Sequence, residues 1–409
     1  MILCLSIWPL GVTRQLFIAV LTLCALIFQT PAFAADQGTE CVPLASWVDP
    51  ATRETIAPEK LLRAISRKQA VLLGEQHDLA EHHRWQLQMI TELYAINPDI
   101  VIGFEMFSRR VQPVLDRWVR GELTVDAFLQ EVNWLQEWHY DPDLYLPLFH
   151  FARMNRIPMI ALNIDKQLMA RVHKQGWKNI PADERQGITD PAPASEDYIR
   201  LLATSFKHHS PSGDKQSAHG ALGDDEKAAF ARFVETQLLW DRAMADAIAA
   251  QLRNEPPAQV VAVMGSGHII SGFGVPHQLK AEGISEISTL IPWSHRHDCS
   301  ELEASTADAV FGLDTEEQQP REKPQLGILM ERREAGVTIV DVVENSVAAA
   351  AGLKPDDVIT EIAGQPADGL QNIIEIVRAM VPGTWLPITV LRGTDQVAVI
   401  ARFPPDNAK

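Results

Sequence analysis

Ala70-Val71-Leu72-Leu73-Gly74-Glu75-Gln76-His77-Asp78 is the stretch on which the reading of this sequence turns. Its first four residues are apolar without alternation, as in a strand buried on both faces. The glycine lets the backbone turn sharply or approach a ligand closely, and the residues after it are those of proton transfer and metal binding. The same design returns further along. Ile100-Val-Ile102 runs into Gly103-Phe104-Glu105-Met106, Pro158-Met-Ile-Ala-Leu162 into Asn163-Ile164-Asp165, and Val260-Val-Ala-Val-Met264 into Gly265-Ser266-Gly267-His268. A fifth candidate strand covers Ile287 to Ile291, and helical patterns lie between, including 79–96 and a long one near 224–254. Short apolar strands alternating with helices predict an α/β fold, a parallel sheet covered by helices, and such sheets bind ligands at the carboxyl ends of their strands.

Two of these strand ends read Gly-x-x-His. His77, His268 and Glu105 are therefore expected to converge above the sheet, where imidazole and carboxylate together suit a divalent transition metal or proton transfer. The competing reading of each histidine is a hydrogen-bonded side chain that closes a turn. On the helix after the first motif, about 100° per residue puts His82, His83 and Gln86 on the inward side. They support the site or act as ligands themselves, since buried polar groups need partners. Trp134, Trp138, His139, Tyr140 and Tyr145 read as the core of a small helical insertion, with lining of a pocket for a flat apolar ligand as the alternative. The polar stretch 205–220, with His208, His209 and His219, reads as a surface loop or a ligand-related one.

The chain has 409 residues, 53 acidic against 36 basic, for a formal charge of -17. That excess argues against nucleic acid as a partner. Arg14, the apolar run Leu16–Phe28 and Pro31-Ala32-Phe33-Ala34 predict a Sec-type signal peptide over 1–34, and hence a periplasmic location; a retained anchor is the alternative. Of the four cysteines, Cys41 and Cys299 then remain, at the two ends of one domain. A disulfide closing that domain is expected, against two unpaired buried thiols. Residues 301–323 carry seven acidic and two basic side chains, which is linker composition. The organisation expected is a site-bearing domain over 41–300, an acidic linker over 301–323 and a small module over 324–404.

Leu73-Gly-Glu-Gln-His-Asp78 with His82-His83, Phe104-Glu105-Met106, Asn163, the Gln237-Leu-Leu-Trp-Asp241-Arg-Ala-Met244-Ala245 helix, and Gly265-Ser-Gly-His268 with Gly272-Phe-Gly-Val-Pro276 together resemble the ChaN-like family of haem-binding proteins. The resemblance covers residues 58–295. It implies iron uptake, with haem in an apolar pocket, iron held by a protein side chain with tyrosine among the candidates, and His77, His82, His83, Glu105, Asn163 and His268 as the cofactor-binding positions. The family is similar to the Tiki and TraB metalloproteases, which implies a second reading, a metal-dependent hydrolase or peptidase. There His77, Glu105 and His268 hold a divalent metal and Glu75 is the general base. It also resembles the erythromycin-esterase group.

Leu326-Gly327-Ile328, Gly336 to Val343, Asn345-Ser346, Ala351-Gly352-Leu353, Asp357-Val-Ile359, Gly364 and Ile388 to Gly393 resemble a PDZ domain of the HtrA type, a mixed α+β module. Such a domain adds an extended peptide as a strand, with the amides around Leu326, Gly327 and Ile328 receiving a terminal carboxylate. A protein C-terminus, with a membrane protein as a candidate partner, is thus expected there. A third reading is a non-catalytic scaffold in which both domains only bind protein.

Overall fold

The structure, a computed structural model, describes residues 41–209, 224–255, 257–315 and 324–405. The expected signal peptide and most of the histidine-bearing stretch 205–220 lie outside the described residues. Two compact units divide the chain, 1–316 and 317–409.

The first unit is built on eight strands: β1 (Trp47–Val48), β2 (Thr55–Ile56), β3 (Ala70–Glu75), β4 (Ile100–Ser108), β5 (Met159–Asn163), β6 (Gln259–Gly265), β7 (Ile287–Ser294) and β8 (Ala309–Leu313). They pair in the order β2-β1-β8-β7-β3-β6-β4-β5. From β8 to β5 every pairing is parallel, and β1 and β2 add an antiparallel edge. Val71 and Leu73 of β3 pack into the core on one face, Ala70 and Leu72 into the core on the other. That is why the run is apolar throughout: a strand covered by helices on both faces has no polar side.

The open edge of the sheet at β5 is guarded by one side chain. Gln112 donates Nε2 to the Met159 carbonyl at 2.8 Å and accepts the Ala161 N–H at 2.9 Å, standing in for the missing neighbour strand. A cleft of about 600 Å³ runs beside it, lined by Arg109, Gln112, Asp116, Met159 and Asp246 among others.

One expectation needs correction. The acidic stretch 301–323 is not linker from its start, because Ala309–Leu313 is β8, parallel to β7 and antiparallel to β1. Its apolar content, Ala309-Val310-Phe311, is short and flanked by acids, so composition masks it. The disulfide is present: Cys41 and Cys299 are joined with their Cα atoms 5.4 Å apart. Between β4 and β5 lies the expected insertion of short helices. Trp134 and Phe149 are buried there against Phe107, and Tyr145 against both of them, so core packing is its main role.

The second unit is an antiparallel sheet in the order β14-β13-β11-β10-β9, with β12 paired to β11. Its strands are β9 (Ile328–Arg333), β10 (Gly336–Val342), β11 (Val358–Ile362), β12 (Gln365–Pro366), β13 (Trp385–Arg392) and β14 (Asp395–Arg402), with helices Val347–Ala351 and Leu370–Arg378. Asp357 is fully buried, accepting both Nε and a terminal nitrogen of Arg392 at 2.7 and 2.8 Å. The bidentate pair balances the buried charge, which explains a carboxylate at that turn.

Candidate functional site

Strands β3, β6 and β4 are neighbours, so the three motifs that follow or end them meet at one edge. Glu75, the last residue of β3, is 2% exposed. His77 Nδ1 and the Tyr145 hydroxyl both donate to its Oε1 at 2.7 Å, and Gln86 Nε2 donates to Oε2 at 2.9 Å. With two other groups already donating to Glu75, His77 Nδ1 is the donor of this pair and carries its proton. Burial opposes a charge on His77, but the Glu75 hydrogen bond and the charges of Glu105 and Glu75 outweigh it and raise its pKa. The same negative field favours any cation at that ring.

Glu105 owes its position to a break in the ladder. The register of β4 on β5 shifts between Phe104 and Ser108, a bulge that re-aims the side chains within it. Asn163 Nδ2 holds the bulge by donating to the Glu105 carbonyl at 2.8 Å. Glu105 Oε2 accepts the Gly265 N–H at 2.6 Å. Its Oε1 lies 3.5 Å from His268 Nε2, an ion-pair distance and longer than a good hydrogen bond. Oε1 thus has no hydrogen-bond partner among the described residues.

His268 repeats the arrangement of His77. Its Nδ1 donates to Asp241 Oδ1 at 2.6 Å, and Asp241 Oδ2 accepts the Tyr198 hydroxyl at 2.7 Å. Burial disfavours the imidazolium, yet the Glu105 charge and the Asp241 hydrogen bond prevail and push the His268 pKa up to about 10. Glu105 is correspondingly held below the usual carboxylate range, the pull of His268 outweighing its burial. Two tyrosine–carboxylate–histidine chains, Tyr145–Glu75–His77 and Tyr198–Asp241–His268, therefore converge on Glu105. Gly265 stands between them, and a Cβ there would lie 3.0 Å from His77 Cε1 and 3.2 Å from Nε2. Glycine keeps that space clear.

Exposure separates the members. His82, His83, Gln86, Glu105 and His268 are all buried, whereas the His77 side chain is 27% exposed. Beside it stand the rings of Trp138 and Tyr140, with centroids 4.8 and 5.2 Å away. His82 Nδ1 accepts the Gln76 N–H at 2.9 Å, and His83 spans Gln86 Oε1 at 3.2 Å and the His77 carbonyl at 3.1 Å. These residues and Asn163, expected as cofactor-binding, thus hold the backbone and the ligand-facing groups in place.

Glu75, the expected base of the hydrolase reading, has its oxygens taken by three donors and acts as the holder of His77. Among the described residues no three His, Cys, Asp or Glu side chains are gathered so as to hold a metal ion. His77, Glu105 and His268 therefore flank a common space without forming an assembled metal centre. Sequence reasoning had Tyr145 and Tyr198 only among the tyrosine candidates for the iron and gave Asp241 no role of its own. Asp241 lies inside the quoted 237–245 motif and Tyr145 in the aromatic segment, but nothing in the chain alone pairs them with His268 and Glu75. The cleft beside β5 shares no lining residue with this cluster.

In the second unit, Gly327 has φ +76°, and a Cβ there would come 2.3 Å from Ser346 Cβ, so only glycine fits. The Leu326 and Gly327 carbonyls accept the Ala348 and Val343 N–H groups. Among the described residues the N–H groups of Leu326 and Gly327 donate to no backbone carbonyl. Strand β9, which follows them, is an edge strand and open to an added one.

A family model described as haem-binding uptake, Tiki superfamily, ChaN, matches residues 61–279, and a PDZ domain model matches 324–400. Among solved structures the chain is similar to ChaN of Campylobacter jejuni, described as showing cofacial haem binding. It is 17% identical to that chain, with a TM-score of 0.52, over 66% of this chain and 98% of that one. That identity speaks for the fold alone. The HtrA-type protease AlgW, solved with a decapeptide, is 26% identical over 20% of this chain and 28% of its own, with a TM-score of 0.19. The mouse (Mus musculus) serine protease HTRA4 is 40% identical over 60 residues, 15% of this chain and 12% of the relative's length. The similarity to the curated proteases thus covers only a small part of either protein.

Proposed function

The chain belongs to the haem-binding uptake family of the Tiki superfamily, ChaN, and on that footing we propose that it is a secreted, periplasmic haem-binding protein of iron uptake whose PDZ domain captures a protein C-terminus. The observation that carries this reading is the presentation of His77. It is the partly exposed imidazole of the cluster, its Nδ1 is tied to Glu75, and the rings of Trp138 and Tyr140 wall it. A haem needs a ligand nitrogen or oxygen presented beside flat apolar surface, and these three residues fit that need. Tyr145 and Tyr198 spend their hydroxyls on Glu75 and Asp241. Burial and the charges of Asp78, Glu105 and Glu75 hold the Tyr140 phenol above its ordinary pKa.

His77 and the Tyr140 hydroxyl are the groups put forward to reach the iron, with Trp138 as the wall. Bound haem would supply iron, the cargo of uptake, and the protein's part is to hold and orient it. In the PDZ domain, the open edge of β9 and the Leu326 and Gly327 amides support capture of a peptide C-terminus, with a membrane protein as the proposed partner.

Haemin titrated into the purified protein should give a Soret band at one haem per site, and His77→Ala should weaken or shift it. No Soret band, together with stoichiometric divalent metal by elemental analysis, would overturn the haem reading in favour of a metal-dependent hydrolase. In that case the Glu105 oxygen without a hydrogen-bond partner is where the metal chemistry would be sought.

A further inference from the structure

We propose that the groove beside β9 selects protein C-termini that carry Asp or Glu four residues before the last, with Arg332 as the side chain that reads the acid. The inference rests on the reading of the second unit as a receiver of C-termini and extends it to the sequence received. Its basis is the alternation along β9. Ile328 and Met330 are half-buried and pack on the core of the unit, as do Leu370, Ile373 and Val377 of helix Leu370–Arg378. Leu329, between the first two, is 60% exposed. Arg332 shares the side of Ile328 and Met330, since it stands opposite buried Val337 as Met330 stands opposite buried Ile339. Its guanidinium lies over the start of that helix, where a Cβ on Gly369 would be 3.7 Å from Arg332 Nη1. The groove between strand and helix is thus apolar near Ile328 and cationic at Arg332.

A peptide whose carboxylate sits on the Leu326 and Gly327 amides, at the start of β9, has to run antiparallel to that strand. Facing residues of an antiparallel pair lie on one side of the sheet, and each strand returns to that side every second residue. The last residue of the peptide then faces Ile328, the third from the end Met330, and the fifth from the end Arg332. Apolar side chains suit the first two of these positions and an acid the third. Among the described residues Arg332 makes no ion pair, whereas Arg333, on the other side of the strand, is paired with Glu331 and Asp356. The free cation therefore stands on the groove side and the neutralised one faces away. Arg332 is exposed, which sets the gain from an acid at about two- to fivefold in affinity.

The test measures binding of dye-labelled synthetic peptides to the full chain by fluorescence anisotropy. All the peptides have valine at the last and third-last positions, and they differ in the fifth-last residue, which is glutamate, glutamine or lysine. The glutamate peptide should bind about two- to fivefold tighter than the glutamine one at low ionic strength, and the lysine one more weakly than either. High salt should erase the difference. In Arg332→Gln the glutamate and glutamine peptides should bind alike, and Arg332→Glu should favour lysine. Moving the glutamate one residue toward the end turns it to the side of Glu331 and should abolish the gain. Equal binding of the glutamate and glutamine peptides by wild type, or a glutamate preference that survives in Arg332→Gln, overturns the proposal and leaves capture of C-termini standing. Failure of every peptide to bind, or undiminished binding of one whose terminal carboxylate is replaced by an amide, overturns the capture reading and this proposal with it.

Discussion

His82 accepts the Gln76 N–H through Nδ1, and burial, with His83 as the next cause, holds its pKa down at about 4. An unfolded histidine titrates near 6.5, so the unfolded chain takes up this proton first as pH falls. The stability His82 contributes is therefore complete above about pH 6.5 and is lost as pH falls toward about 4. Urea unfolding at pH 7 and pH 4.5 should show wild type losing about 2 kcal/mol more than His82→Gln between the two. An equal loss in both would show that His82 titrates normally. That His82, His83 and Gln86 face inward was legible from helical periodicity, because it depends only on neighbours in sequence. The chains that hold His77 and His268 were not, since Glu75 meets Tyr145 across 70 positions and His268 meets Asp241 across 27.

At the scale of elements, the buried strands were the easiest to read, since β3 to β6 each carry an unbroken apolar run; β7 is broken by Ser288 and Thr289. The short strands escaped. β1 and β2 span two residues each, and β8 hides in acid-rich sequence. The bulge that aims Glu105 was equally hidden, as it arises from the register of β4 on β5 and not from any residue in β4. The guarded edge of β5 gives a prediction of its own. Gln112→Leu leaves the Ala161 N–H and Met159 C=O without their partner, a loss of about 1–3 kcal/mol. It also exposes an edge that can pair with another chain. A lower unfolding midpoint and increased light scattering on warming are expected; a variant that stays monomeric with an unchanged midpoint would show that Gln112 guards nothing.

For the whole molecule, each unit has its own apolar core, the second built on Leu326, Ile339, Ile359, Ile373, Leu386 and Ile388 among others. Residues 324–405 expressed alone should thus fold and unfold cooperatively, with the same midpoint as one of the thermal transitions of the full chain. A fragment that is unfolded by circular dichroism would show that it depends on the first unit. The division into two units was legible because composition changes sharply between them, but the first unit runs past the expected end at 300 to take in β8, which ends at Leu313.

The pairing of Trp47 with Phe311 also imposes an order in time. A chain made from its N-terminus presents β1 long before β8 exists, and at about 5–20 residues per second the wait is roughly ten to fifty seconds. Throughout that interval Trp47 lacks the strand that covers it, and Cys41 lacks the partner that arrives only at position 299. The sheet can close along this side only when synthesis of the first unit is almost finished, so a chain interrupted before residue 309 keeps an open edge at its beginning, and one interrupted before residue 299 cannot form the disulfide.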